Sequence, residues 1–323
     1  MRTASKNWHP MPDAGGLHEA VDSAPAWFRV ALAAAPTRAT IDVEGVGIET
    51  LAWGERGRPG VLLLHGFTAH ADWWSFVAPQ LATARRVVAL SLSGMGGSSW
   101  RDTYSLEQYA REALVVATEA GLFEAVHPPI VVGHSFGSFV ARQLAQTVGS
   151  RLGGIVLVDG VITADEDDDE YDGVPRRGHR HRVYPALDEA MARFRFSPPQ
   201  PCEHPWIVEL LARTSLHPVQ DVTGSAGWSW CFDPDLRAKF GGLPNATVLT
   251  PPTCPMSLLF GDRSELLTPA RRALLRRATP PQTPWIEIPD AGHHVMVDQP
   301  LALVAALRTQ FEAWQPAATL DRD

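Results

Sequence analysis

Cysteine is scarce in this chain: Cys202, Cys231 and Cys254 are the only three among 323 residues. They are odd in number and widely spaced, which argues against a cysteine-based metal motif and a disulfide framework. Long apolar runs are also missing. None approaches the ~20 residues that a membrane-spanning helix needs. Residues 1–8 lack the apolar core of a secretory signal. A basic surplus is absent as well. The 28 Lys and Arg residues stand against 36 Asp and Glu, a net charge of −8, which disfavours nucleic acid as a partner. These absences lead us to expect a cytoplasmic protein that handles a small molecule, with no nucleic-acid or membrane partner. Nothing in the pattern fixes the oligomeric state.

What is present is punctuated by glycine. The apolar, β-branched run Pro129-Ile130-Val131-Val132 leads straight into Gly133-His134-Ser135-Phe136-Gly137. Helical spacing of Phe139, Val140, Leu144 and Ala145 follows at once. Strand, sharp turn and helix form the setting in which Gly-x-Ser-x-Gly carries chemistry. The serine takes a strained backbone conformation, and the glycines let strand and helix approach. Ser135 is therefore the candidate nucleophile. Its hydroxyl is a weak nucleophile at neutral pH and needs a base within hydrogen-bond reach. It also needs donors for the oxyanion that attack creates. The apolar run Val61-Leu62-Leu63-Leu64 ends in His65-Gly66-Phe67. The backbone N–H groups of Phe67 and Phe136 are the candidate donors, and His65 is assigned to the substrate pocket. Near the C-terminus, Trp285-Ile286-Glu287-Ile288 leads to Ala291-Gly292-His293-His294. The base is expected there.

These segments, with Ser93-Gly94-Met95-Gly96-Gly97-Ser98 and Pro300, resemble the α/β-hydrolases of the capped, esterase-like type. The resemblance runs from about residue 40 to the end of the chain. It implies an α/β fold: a mostly parallel central sheet flanked by helices, with a helical cap inserted between two core strands. It also implies a Ser-His-acid triad working through an acyl-enzyme, with no cofactor and no metal. The family pattern sets the histidine directly after glycine, with a helix-opening proline further on. His293 meets it, rather than His294. The acid departs from the usual pattern. In most relatives it lies three residues after the glycine that ends the strand following the cap, and Ser264 stands there. Glu265 is the next residue. In haloalkane dehalogenases the acid instead follows the strand before the cap, which is Asp159 here. Asp159 is preferred and Glu265 is the alternative.

A serine nucleophile argues against a dehalogenase or an epoxide hydrolase. An ester or related acyl compound is the expected substrate. Carbon–carbon hydrolysis, lactonase and thioesterase chemistry remain open, as does a non-catalytic ligand-binding role, because this fold hosts many activities. The expected pocket includes Trp73, Trp74, Trp228 and Trp230. Consecutive helical residues diverge by about 100°, so one of Trp73 and Trp74 is expected to face the pocket. The segment 228–234 is expected to fold over the serine. Its aromatic character suggests a small apolar or aromatic acyl group.

The expected division is an N-terminal extension (1–35), a core (36–160 and 252–323) and a cap (161–251). Within these, the pattern predicts a hairpin around Gly47 and a helix over 72–81. Ser105-Leu106-Glu107-Gln108 reads as a capping box that opens a helix. The acidic run 164–170 and the basic run 176–182 read as solvated cap surface.

Overall fold

The computed structural model describes residues 21, 23–160, 181–220, 223–241 and 252–315. Among these, ten strands form: β1 (Thr37–Val43), β2 (Val46–Trp53), β3 (Gly60–Leu64), β4 (Arg86–Leu90), β5 (Ile130–His134), β6 (Gly154–Val158), β7 (Leu216–Gln220), β8 (Ala226–Trp230), β9 (Met256–Gly261) and β10 (Trp285–Ile288). Eight of them make one sheet in the order β1-β2-β4-β3-β5-β6-β9-β10. The β1–β2 and β2–β4 pairs are antiparallel, and every other pair in that sheet is parallel.

The apolar runs explain this arrangement. Successive side chains of a strand point to opposite faces. Leu62, Leu64, Val131, Ile155 and Leu157 pack into the core on one face. Val61, Leu63, Val132, Val156 and Val158 pack into the core on the other. A parallel sheet covered on both sides requires such uninterrupted Val, Ile and Leu runs. The helices supply the cover: α1 (Ala26–Ala33), α2 (Leu106–Glu119), α3 (Phe136–Val148), α4 (Pro205–Thr214), α5 (Pro269–Ala278) and α6 (Pro300–Trp314). Ser105 caps α2, its hydroxyl accepting from the Gln108 N–H at 3.2 Å.

Two local expectations change. The hairpin turns at Glu44 and Gly45, with φ of 56° and 77°, not around Gly47. Two left-handed residues in a two-residue loop match the twist of the flanking strands. The predicted helix over 72–81 splits into a 3₁₀ turn, Ala71–Trp74, and a single turn, Ala78–Leu81. Pro79 has no N–H to donate to the carbonyl four residues earlier, so it sits in the first turn of the second piece and does not continue the first. Trp74, Val77 and Leu81 are nevertheless all buried.

The described part of the segment between β6 and β9 contains α4 and an antiparallel ribbon of β7 and β8. No regular strand was predicted there. The ribbon adds strand structure to the helical cap that the resemblance implied. The segment is fastened to the core by the buried Asp233. Its N–H donates to Gly94 O at 2.7 Å, and its Oδ2 accepts from Tyr104 Oη and Lys239 Nζ, each at 2.7 Å. The acidic run 164–170 and residues 176–180 of the basic run lie outside the described residues.

Helix α1 is joined to the core through Phe28, which is fully buried and meets the Phe76 ring at 5.6 Å. Phe28→Ala should lower stability by about 3 kcal/mol. A shift in the urea midpoint at unchanged slope would show it.

Candidate active site

Ser135 sits between β5 and α3 with φ 50° and ψ −117°. An L-residue holds this conformation only where its surroundings impose it. The imposing contacts are visible. A Cβ on Gly133 would collide with the carbonyl of Gly137, and one on Gly137 would lie 2.5 Å from Leu64 O. The Ser135 N–H donates to Val158 O at 2.9 Å, tying the turn to β6. The Ser138 hydroxyl donates to Gly133 O at 2.7 Å. These contacts hold the Ser135 side chain at the cavity wall.

His293 follows β10 on a loop that reaches back across the sheet. Gly261 permits this, since a Cβ there would run into the carbonyls of Ala291 and Gly292. The His293 Nε2 lies 2.9 Å from Ser135 Oγ. Its Nδ1 lies 2.6 Å from Asp159 Oδ2. Asp159 directly follows β6 in a left-handed conformation, φ 47°, which aspartate tolerates better than most residues. Its N–H donates to Leu259 O at 2.7 Å. Ser135, His293 and Asp159 are all buried.

Ser264 donates its hydroxyl to the same Asp159 oxygen at 2.6 Å. This is the residue at the position where most relatives carry the acid. The other oxygen, Asp159 Oδ1, has no hydrogen-bond partner among the described residues. Glu265 is exposed at the cavity rim. Both nitrogens of His293 are already engaged, one by Asp159 and one by Ser135.

Phe136 opens α3, so its backbone N–H has no acceptor within the helix. The Phe67 ring meets the Phe136 ring at 5.3 Å. This edge contact sets the loop after β3 beside the start of α3. A Cβ on Gly66 would lie 3.4 Å from Ser135 Cβ, which shows how near that loop comes to the serine.

The cavity above Ser135 has a volume of about 1210 Å³. Phe67, Trp73, Phe194, Trp230, Phe232 and Leu266 form its apolar wall. Three residues expected in this pocket do not line it. His65 is buried under the loop, where its Nε2 accepts from the Leu92 N–H at 3.0 Å. Burial pushes its pKa down to about 3, so it serves as a neutral strut. Trp74 points into the core instead, opposite in role to the cavity-lining Trp73. Trp228 packs instead against Tyr184, Ala190 and Leu216 of the segment between β6 and β9.

Sequence reasoning missed the ring of polar contacts behind the histidine loop. The side-chain carbonyl of Gln200, from the cap, accepts from the His294 N–H at 2.9 Å, and its amide donates to Asp298 Oδ2 at 2.8 Å. The Gly292 N–H donates to that same Asp298 oxygen at 2.7 Å. Gln200 lies in irregular sequence, with no spacing to single it out. Ser264 had a signal, since it stands where an acid was expected.

The sequence matches the alpha/beta hydrolase family across residues 61–307, and the chain belongs to that family. Esterase Rv0045c of Mycobacterium tuberculosis is 29% identical over 276 residues, 82% of this chain and 87% of the esterase. The acetyltransferase component of the acetoin cleaving system from Cupriavidus necator is 36% identical over 149 residues, 46% of this chain. The match spans only 38% of that relative's length. Among solved structures, the thioesterase domain from the curacin biosynthetic pathway superposes with a TM-score of 0.70 at 24% identity. That likeness covers 85% of this chain and 99% of the thioesterase domain, and it concerns the fold.

Exchange of the two acid positions tests the hydrogen-bond pattern. Asp159→Asn should lower kcat/KM for an active ester by roughly 10³ to 10⁴, because an amide presents the wrong partner to Nδ1. Glu265→Gln should change it by less than about threefold, as expected of an exposed charge. Adding Ser264→Asp to Asp159→Asn should restore at least about tenfold, since Ser264 Oγ already lies 2.6 Å from the Asp159 oxygen that faces Nδ1. No recovery in a double variant with a normal thermal melt would mean that only the Asp159 position orients His293.

Proposed function

We propose that this chain is a cofactor-free serine hydrolase of carboxylic esters or related acyl compounds. The observation that carries the reading is the continuous chain Ser135 Oγ, His293 Nε2, His293 Nδ1, Asp159 Oδ2, with links of 2.9 Å and 2.6 Å. The carboxylate accepts the Nδ1–H and leaves Nε2 as the base. Nε2 takes the Ser135 proton as Oγ attacks the substrate carbonyl carbon. The tetrahedral oxyanion is held by the backbone N–H groups of Phe67 and Phe136. His293 then returns the proton to the leaving alcohol, and the acyl-enzyme forms. Water, deprotonated by the same nitrogen, attacks the ester to release the acid and regenerate Ser135.

The likeness to a mycobacterial esterase, over 82% of this chain and 87% of that one, supports the reaction class. The aromatic wall supports an apolar or aromatic acyl group. The volume of about 1210 Å³ leaves room for more than a short acyl chain, since pockets for small ligands are typically about 300–1,000 Å³. No helix among the described residues is long and apolar enough to cross a membrane, and we propose a cytoplasmic setting.

A fluorophosphonate probe should label the protein at Ser135, and Ser135→Ala should abolish both labelling and p-nitrophenyl ester hydrolysis. The loss expected in kcat is on the order of 10⁶, with the melting temperature nearly unchanged. Hydrolysis by Ser135→Ala at the wild-type rate would overturn the mechanism. An unlabelled, inactive but ligand-binding wild type would favour the non-catalytic reading.

The aromatic wall can be tested separately. Trp230→Ala should shift the preference between short- and long-chain p-nitrophenyl esters. Trp228→Ala should leave that preference alone and lower cap stability. Equal shifts in both variants would show that cap packing, not wall shape, selects the acyl group.

A further inference from the structure

Three buried histidines meet at one side of the cavity: His134, His293 and His294. One ligand nitrogen from each lies within 4.8 Å of the others. The ring centroids form a triangle with edges of 4.9, 4.8 and 5.6 Å.

Their tautomers follow from their partners, because a carbonyl oxygen only accepts. His134 donates its Nε2–H to His293 O at 3.0 Å. His294 donates its Nε2–H to Pro198 O at 3.3 Å. His293 donates its Nδ1–H to Asp159 at 2.6 Å. Each ring is left with one nitrogen bearing a lone pair: Nδ1 of His134, Nε2 of His293 and Nδ1 of His294. The last is buried and has no partner among the described residues. A buried acceptor in that condition is unusual and calls for an explanation.

Metal-binding histidines almost always donate their second N–H to a carbonyl or carboxylate. All three rings here do so. The geometry points to an inhibitory site for a borderline divalent ion of the Zn²⁺, Co²⁺ or Ni²⁺ class, held by His134, His293 and His294. Ser135 Oγ or a water completes four-coordination. On one tetrahedral zinc, imidazole nitrogens lie about 3.3 Å apart, so small ring rotations must draw the three together. Gly66 leaves the flank of His134 open, since a Cβ there would lie 3.2 Å from Nδ1. An all-nitrogen donor set does not suit Mg²⁺ or Ca²⁺, which require oxygen ligands.

The consequence is competition for one lone pair. The ion takes the His293 Nε2 electrons that would otherwise receive the Ser135 proton, and no covalent bond is broken. Inhibition rests on the proposed hydrolase reading, whereas binding does not, so the two are measured apart. Binding uses the Ser135→Ala protein, titrated with Co²⁺ and followed by its visible absorption. One equivalent should bind with the band intensity of four- or five-coordinate cobalt, and Zn²⁺ should displace it. Adding His294→Gln should weaken binding by at least about tenfold. Mg²⁺ should neither bind nor compete.

Inhibition uses the wild type with a p-nitrophenyl ester. Zn²⁺ should inhibit it reversibly, with full recovery in EDTA. His294→Gln, measured against its own metal-free rate, should need at least about tenfold more Zn²⁺. Absence of cobalt binding to a folded Ser135→Ala protein at millimolar Co²⁺ would overturn the site. So would equal Zn²⁺ sensitivity in wild type and in both His294→Gln and His134→Gln, because the ion would then act elsewhere. One-to-one binding that depends on His294, in a wild type lacking any esterase activity, would uphold the site and remove the hydrolase reading.

Discussion

Everything at this site depends on how closely the backbone packs at the carboxyl edge of β5, β6 and β9. Three glycines carry that constraint. Gly133 and Gly137 let the start of α3 press against β5 and the end of β3, and Gly261 lets the histidine loop lie on the end of β9. A single added methyl at any of these would meet a carbonyl oxygen, not a yielding side chain. The serine's left-handed backbone is the product of this crowding. The strain is local, and the two covered faces of the sheet support it. The short Ser135–His293–Asp159 distances are thus properties of backbone placement, not of flexible side chains finding one another.

The same packing sets Asp159, just past β6, beside Ser264, which follows β9 at the position where the resemblance places the acid. The two strands are neighbours in parallel register. Residues just past their ends therefore lie side by side, and Ser264 meets Asp159 there. Here the vacated position is not idle. Ser264 donates to the oxygen that also accepts from His293. Two donors on one carboxylate oxygen fix its rotation. The opposite oxygen is buried and unpartnered, so the carboxylate's interactions are concentrated toward the histidine.

The strand–turn–helix around Ser135 and the five central parallel strands were legible because their signals are local: an apolar run, a glycine pair, a switch of period from two to 3.6. The preference for Asp159 over Glu265 came from the resemblance, since sequence spacing does not carry the strand order that sets Asp159 beside His293. The pocket was legible only in part. The divergence of the adjacent Trp73 and Trp74 was expected, and one faces the cavity and the other the core. Trp228 and Trp230 lie on one face of β8, and their different surroundings follow from how the ribbon sits, not from periodicity. His65 was misplaced because a histidine beside an oxyanion loop suggests a ligand contact. It is instead a neutral acceptor buried beneath the loop.

The segment between β6 and β9 and the histidine loop are not independent parts. Pro198, Gln200 and His204 all come from that segment. They bond respectively to the His294 ring, to the His294 N–H and Asp298 side chain, and to the Asp298 carbonyl. Asp298 in turn accepts from the Gly292 N–H. Any displacement of the cap segment 198–204 must therefore break these bonds or carry the loop of His293 with it. Pro198, Gln200 and His204 also line the cavity. The cavity wall and the loop that sets His293 between Ser135 and Asp159 are thus joined by the same few hydrogen bonds.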